Sequence, residues 1–374
     1  NEYQQFFEEK FDKKIPGTSN LYVYFIVKMI EELPPKGAFC FVVYDSWRNT
    51  RFGKWLIDYL NSSCALIRHE ILEGGPFKGH LIDSTIIYGL KGNSGGTPEI
   101  PLEIKSRSFF EDISGFSKVS DEYVTKRGLR LKQASFFLGN KVDVEKHGAI
   151  IFAKKPNKIP GLTLNDSHDE SLLLILDDED EPQSRVMNEL QNRLITAQST
   201  PEKNEPILNW QKKRPDHWYR HASPPVYPLI FNYYIRSNPR VILNKTDIPF
   251  SDNFYGIKPK EMNKPIEFFF ALFNSSFAIL EYLSSGRKQG NGLTKLQLFE
   301  FRDCWIPSHL RFDEAGVRKL SLLGRELETL DFADPEIIEQ IDDVIIDQLG
   351  AENGYLKEAA YDKLNFLGVR ISAG

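Results

Sequence analysis

Ala38-Phe39-Cys40-Phe41-Val42-Val43-Tyr44 is an unbroken apolar run, of the kind found in a strand covered on both faces. Upstream, Thr18, Ser19 and Asn20 are good helix caps. Tyr22, Phe25, Ile26, Met29, Ile30 and Leu33 then recur at three- and four-residue steps. That is a helix with one buried stripe, stopped by Pro34-Pro35 and turned into the strand by Lys36-Gly37. Downstream, Phe52, Trp55, Leu56, Tyr59 and Leu60 mark a second helix from about Asn49 to Leu60. Cys64 to Ile71 and Leu81 to Leu90 read as two more strands. Helix, strand, helix, strand, strand suits the end of an open α/β sheet closed by an antiparallel hairpin. Three strands leave a sheet edge unpaired, so this piece is expected to continue into something outside the chain.

From about Ser106 the strands shorten and turns multiply. The stretch from Asn165 to Glu205 contains the acidic run Asp177-Asp178-Glu179-Asp180-Glu181 and the polar segment Ser199-Thr200-Pro201-Glu202-Lys203, and reads as an exposed connection rather than a metal site. Strand and helix signals return between Pro224 and Ile306, where Ile266, Phe269, Phe270, Phe273, Phe277 and Leu280 predict one strong amphipathic helix. The tail predicts helices over Val317 to Leu330, Pro335 to Leu349 and Tyr355 to Leu367. It is acidic enough to suit packing or partner docking better than nucleic acid. The expected division is 1–105, 106–310 and 311–374.

With 41% hydrophobic and 26% charged residues the 374-residue chain has the composition of a soluble globular protein. It shows neither an apolar run long enough to span a bilayer nor a signal-peptide pattern, so no membrane partner and a cytoplasmic location are expected. Cys40, Cys64 and Cys304 lack metal-site spacing and read as buried free thiols, with no metal expected. A net charge of -5 offers no global attraction to nucleic acid, so any DNA-binding cations must be gathered on one face.

Three blocks carry a family resemblance: Gly17-Thr18-Ser19-Asn20-Leu21-Tyr22-Val23-Tyr24-Phe25, Lys36 to Val43, and Ser46-Trp47-Arg48-Asn49-Thr50-Arg51-Phe52-Gly53-Lys54-Trp55-Leu56. In order and spacing they resemble the gamma-class N6-adenine DNA methyltransferases of restriction-modification systems, the Eco57I-like and TaqI-like members above all. Ile71-Leu72-Glu73-Gly74-Gly75-Pro76-Phe77 and Ser84 to Leu90 look like the loop and last strand of that family's catalytic domain. Phe254-Tyr255-Gly256-Ile257, Ala271 to Ser275, and Leu296 to Pro307 resemble its recognition domain. The resemblance implies an α/β fold: the C-terminal part of a class I methyltransferase sheet, then an α+β TaqI-like target-recognition domain and a helical tail. It also implies double-stranded DNA as a partner. S-adenosylmethionine would serve the complete enzyme, bound mainly by an N-terminal methyltransferase half on the same or a separate polypeptide.

Methylating an adenine amine in a duplex requires flipping the base into a pocket that stacks its ring and orients its nitrogen. In the family a tetrapeptide close to Asn-Pro-Pro-Tyr does the orienting, and a phenylalanine before the last strands stacks on the base. Phe77 falls at the matching place; a structural plug is the equal alternative. Ser223-Pro224-Pro225-Val226 has valine where an aromatic ring is needed and reads as a loop. The basic, glycine-rich stretch from Ser285 to Gly292 follows a helix rather than a buried strand and suits phosphate better than a methyl donor. No catalytic residue is therefore assigned, and no cofactor is expected on this chain alone.

The first DNA-binding candidate is Arg287, Lys288, Gln289, Asn291, Thr294 and Lys295, where glycines allow close backbone approach. The second interleaves cations with aromatics: Lys212, Lys213, Arg214 and Arg220 around Trp218 and Tyr219. Lys126, Arg127, Arg130 and Lys132 form a third cluster. Two alternatives to a recognition half remain: a non-catalytic specificity subunit docking a separate methyltransferase, and a nuclease built on Asp83 and Glu103, a pattern loose enough to arise by chance.

Overall fold

The computed structural model describes residues 2–17, 19–44, 47, 50–72, 84–92, 108–111, 113–173, 175–176, 184–236, 239–288, 293–350 and 353–367. They divide into two compact units. One comprises residues 1–109 with 235–237 and 285–296; the other holds 110–234, 238–284 and 297–374.

In the first unit, helices α1 (Glu2–Phe11) and α2 (Leu21–Glu32) precede strand β1 (Ala38–Tyr44), helix α3 (Arg51–Ser63) and strands β2 (Cys64–Leu72) and β3 (Ser84–Lys91). The sheet order is β1-β3-β2. Strand β3 is antiparallel to both neighbours, pairing Phe41 with Ile87 on one side and Ile67 with Gly89 on the other. This is the predicted sheet end with its antiparallel closing strand. Helix α3 starts where Thr50 caps the Gly53 amide at 3.0 Å. A Cβ at Gly53 would lie 1.7 Å from the Trp47 carbonyl oxygen, so only glycine fits there.

Among the described residues, β1 is covered on one face and not on both. Phe39, Phe41 and Val43 join Val23, Val27, Leu56 and Leu60 in one core, whereas Cys40 and Val42 are exposed. Both flanking helices pack on the same face of the sheet. Its other face carries Val42, Leu66 and Leu90 in the open, and the expectation of three buried thiols holds only for Cys64 and Cys304.

The second unit is built on a five-stranded sheet of β4 (Tyr123–Arg127), β5 (Thr163–Leu164), β6 (Leu229–Asn232), β7 (Val241–Asn244) and β8 (Phe254–Pro259), in the order β4-β8-β6-β7-β5. The pairings are antiparallel except β7 with β5. A short helix α4 (Ala134–Phe137) follows β4, and two longer helices, α5 (Ser184–Ser199) and α6 (Pro201–Lys213), occupy part of the stretch expected to be an exposed connection. Val186, Leu190, Ala197 and Ile207 from this pair share a core with Phe137, Phe152, Leu172 and Trp218. Pro201 begins a new helix, where its missing N–H costs nothing. The acidic run 177–181 lies outside the described residues.

The single amphipathic helix expected over 266–280 is two helices, α7 (Ile266–Phe273) and α8 (Ser276–Ser285), at 55° to each other. Residues 268 to 273 are all buried, so the segment is apolar on every side rather than along one stripe. Buried Asn274 makes the break, exchanging hydrogen bonds with Val241 (N to Oδ1 3.0 Å, Nδ2 to O 3.1 Å) and thereby tying the corner to β7. The tail helices are α9 (Glu314–Leu327), α10 (Pro335–Leu349) and α11 (Tyr355–Phe366), close to their predicted bounds. Gly324 lets α9 press on α7: a Cβ there would lie 2.1 Å from the Glu267 carbonyl oxygen. Asp342 of α10 accepts from the Ser276 amide at 3.1 Å and from the Tyr361 hydroxyl at 2.9 Å, capping α8 from a distance; burial pushes its carboxyl up to about 7. Among the described residues no single helix is long and apolar enough to cross a membrane.

Candidate nucleic-acid interface

Two of the basic clusters read from the sequence meet in the second unit. Trp210, near the end of α6, donates its indole N–H to the Trp218 carbonyl at 3.1 Å, which fixes the ring. The Lys132 ammonium lies 4.9 Å and the Arg214 guanidinium 4.7 Å from the centre of that ring. A cation so placed is attracted by the ring quadrupole and held in position with its hydrogen-bonding capacity largely unspent. Both cations are exposed, as are Lys212 and Lys213 beside them. The arrangement offers oriented positive charge next to an aromatic edge, which suits a phosphate backbone.

The rest of these clusters is dispersed. Arg127 is exposed but anchored: its guanidinium donates to the Tyr233 hydroxyl and to the Asp252 carbonyl, each at 3.2 Å. Burial, then the adjoining Tyr234 phenol, push the Tyr233 hydroxyl above its usual range, and Arg127 opposes the shift. Arg130 is exposed and 4.0 Å from Asp252, while Lys126 is exposed on β4. Arg220 is half-buried in a two-residue strand paired in parallel with Ile175–Leu176.

The other candidate lies in the first unit as a hairpin of Arg287–Lys288 and Thr294–Lys295, pairing Arg287 with Lys295 and Lys288 with Thr294. Arg287 and Lys295 are half-buried and Thr294 is only 9% exposed. Gln289 and Asn291 fall outside the described residues, as do Phe77, Asp83 and Glu103. Ser223 to Val226 is loop. No group of histidine, cysteine and carboxylate side chains able to hold a metal occurs among the described residues. Glu122 and His309 form a buried polar pair, the His309 amide donating to the carboxylate at 3.0 Å; burial lowers the imidazole's basicity. The pair ties the residue just before β4 to the segment ahead of α9.

What joins the two basic clusters is not visible in the sequence. Lys132 and Arg214 are 82 positions apart by their numbers, and Trp210 belongs to no motif. Arg214 caps the C-terminal end of α6, four residues after Trp210, and this short separation is the local signal.

Residues 164–346 match the family model of the C-terminal domain of the Type II methyltransferase M.Eco57I, and that stretch is a domain of this type. No curated protein sequence matches the chain. Among solved structures, the Type IIL restriction-modification enzyme MmeI in complex with DNA has the same fold: TM-score 0.55 at 10% identity, over 94% of this chain and 52% of that one. The type IIG restriction endonuclease BpuSI aligns at a TM-score of 0.46 and 12% identity, over 98% of this chain and 52% of that one. The chain thus spans about half the length of both. Its fold class is as expected: α/β, a sheet end followed by an α+β domain and a helical tail.

Proposed function

We propose that a chain carrying an M.Eco57I-type C-terminal domain over residues 164–346 is the DNA-recognising part of a site-specific adenine-N6 DNA methyltransferase of a restriction-modification system. The observation that carries this reading is the Lys132–Trp210–Arg214 cluster, whose Trp210 and Arg214 lie within the matched stretch. It supplies what the charge of -5 alone does not, a local positive face.

On this reading the partner is double-stranded DNA, and the protein is cytoplasmic. S-adenosylmethionine and the amine-orienting tetrapeptide belong to an N-terminal methyltransferase half, in the same or a separate polypeptide, packed on the open face of β1-β3-β2. Phe77 would stack on the flipped base, contributing about 1 to 3 kcal/mol. The hairpin residues Arg287, Lys288, Gln289, Asn291, Thr294 and Lys295 would support phosphate and base contacts, with Lys212, Lys213, Arg214 and Arg220 along the second patch. The uncovered sheet face supports the related reading of a specificity subunit that docks a separate enzyme.

The test is a salt titration of duplex binding by fluorescence anisotropy. Removing one cation from a phosphate should reduce the slope of log K against log salt by about 0.9. Lys132→Ala and Arg214→Ala should therefore each flatten it by about that amount and weaken binding to every duplex. A wild-type slope near zero would sink the proposal. Methyl transfer by the chain alone would instead refute the assignment of catalysis to another half.

A further inference from the structure

Immediately after Lys132 the chain enters a polar groove of about 650 Å³, between the Gln133–Phe136 turn and helices α5 and α6. Its floor is rigid. Arg193 donates to the Phe136 and Leu138 carbonyls at 2.9 and 2.8 Å and to Glu189 at 2.8 Å, which spends its guanidinium inside the fold. Asn204 is likewise committed, donating to the Thr200 carbonyl at 3.0 Å and hydroxyl at 2.9 Å. The Gln133 and Asn192 carboxamides also line the groove and have no hydrogen-bond partner among the described residues.

Gln133 stands out a second time. Its backbone is left-handed, φ 57 and ψ 37, a conformation that residues with a side chain visit uncommonly and at a cost. Gln133 directly follows the lysine that sits over Trp210. Retained strain at a surface position is a reason to ask what the side chain does. A carboxamide has both a donor and an acceptor, the pair that adenine presents in complement as N7 and the N6 amine in the major groove.

We infer that this groove is a base-reading site, in which Gln133 and Asn192 hydrogen-bond to base edges of duplex DNA while the adjoining Lys132 and Arg214 hold the phosphate backbone. The inference rests on the proposed DNA-recognition function and assigns its specificity. Cations on a fixed ring set the register of the duplex, and amides on a fixed groove read it. Lys203, exposed on the groove's far wall, adds a further phosphate contact.

The experiment is selection of bound duplexes from a random-sequence library by the full 374-residue chain, wild type against Gln133→Gly and Asn192→Ala. Glycine accepts the left-handed backbone freely, so Gln133→Gly should fold with an unchanged or higher Tm. Each variant should lose preference at one or two positions of the wild-type consensus, by roughly 5- to 150-fold, the discrimination of one bidentate contact. The salt slope should stay as in wild type. Gln133→Glu, which keeps only acceptors, should move the preference at its position toward cytosine. An unchanged consensus in both Gln133→Gly and Asn192→Ala would overturn this inference while leaving DNA recognition intact. A wild-type chain that enriches no duplex would overturn both.

Discussion

Val241, Ile242, Leu243 and Asn244 of β7 are all buried, whereas neighbours in β1 differ sharply: Phe41 is 9% exposed and Val42 52%. The five-stranded sheet has protein on both faces, helix α7 among it, while among the described residues the three-stranded sheet has helices on one. Both runs are apolar in sequence. An apolar run records what a strand can bury, and the number of layers around it decides what it does bury. The open face, with Val42, Leu66 and Leu90, is the physical basis for placing a further protein layer there.

The sharpest way to break this comparison is a truncation inside the closed sheet. Phe231 of β6 is fully buried, stacked on Phe301 at 5.0 Å and tilted against Tyr282 at 4.8 Å. Phe231→Ala should cost about 3 to 5 kcal/mol in urea denaturation; a loss under about 1 kcal/mol would mean that this core is not closed.

A second test uses the buried carboxyl of Asp342. Its folded pKa, about 7, lies above the unfolded value of 3.8, so the native state holds the proton longer. Its contribution is complete below pH 3.8 and is lost as pH rises through about 7, a swing of about 2 to 4 kcal/mol. Asp342→Asn should flatten stability across that window. Urea midpoints at pH 5 and pH 8 that differ as much in the variant as in wild type would exclude this origin.

The smallest expected effect is the most telling for the open sheet. Val42→Ser should change the stability of the 374-residue chain by less than about 0.5 kcal/mol, as substitutions at exposed positions do. Binding of a separately expressed methyltransferase half, measured by calorimetry, should nevertheless weaken. If Val42→Ser destabilises the chain as much as a core truncation, the open face is misjudged.

Much of this fold was legible from residue patterns. Asn20 and Pro34-Pro35 punctuate the first unit as the structure does, and the three tail helices fall within a few residues of their expected bounds. The pair α5 and α6 was not legible. Its polar residues outnumber its apolar ones, and only packing against Phe137 and Trp218 makes the few apolar positions decisive. The break at Asn274 was hidden too, since the apolar spacing runs through it and the reason for stopping lies on β7.

For the candidate site, sequence alone determined the stock of cations and aromatics and the local caps and turns, because those depend on neighbours within a few residues. Tertiary structure alone decided which of them act together. Lys132 and Arg214 meet on Trp210 because the core around Phe137, Leu190 and Trp218 folds the 130s onto α6. Arg127, by contrast, is anchored to Tyr233 and Asp252. Attraction between such groups falls off within a few ångströms, and spacing along the chain does not specify distances between segments so far apart.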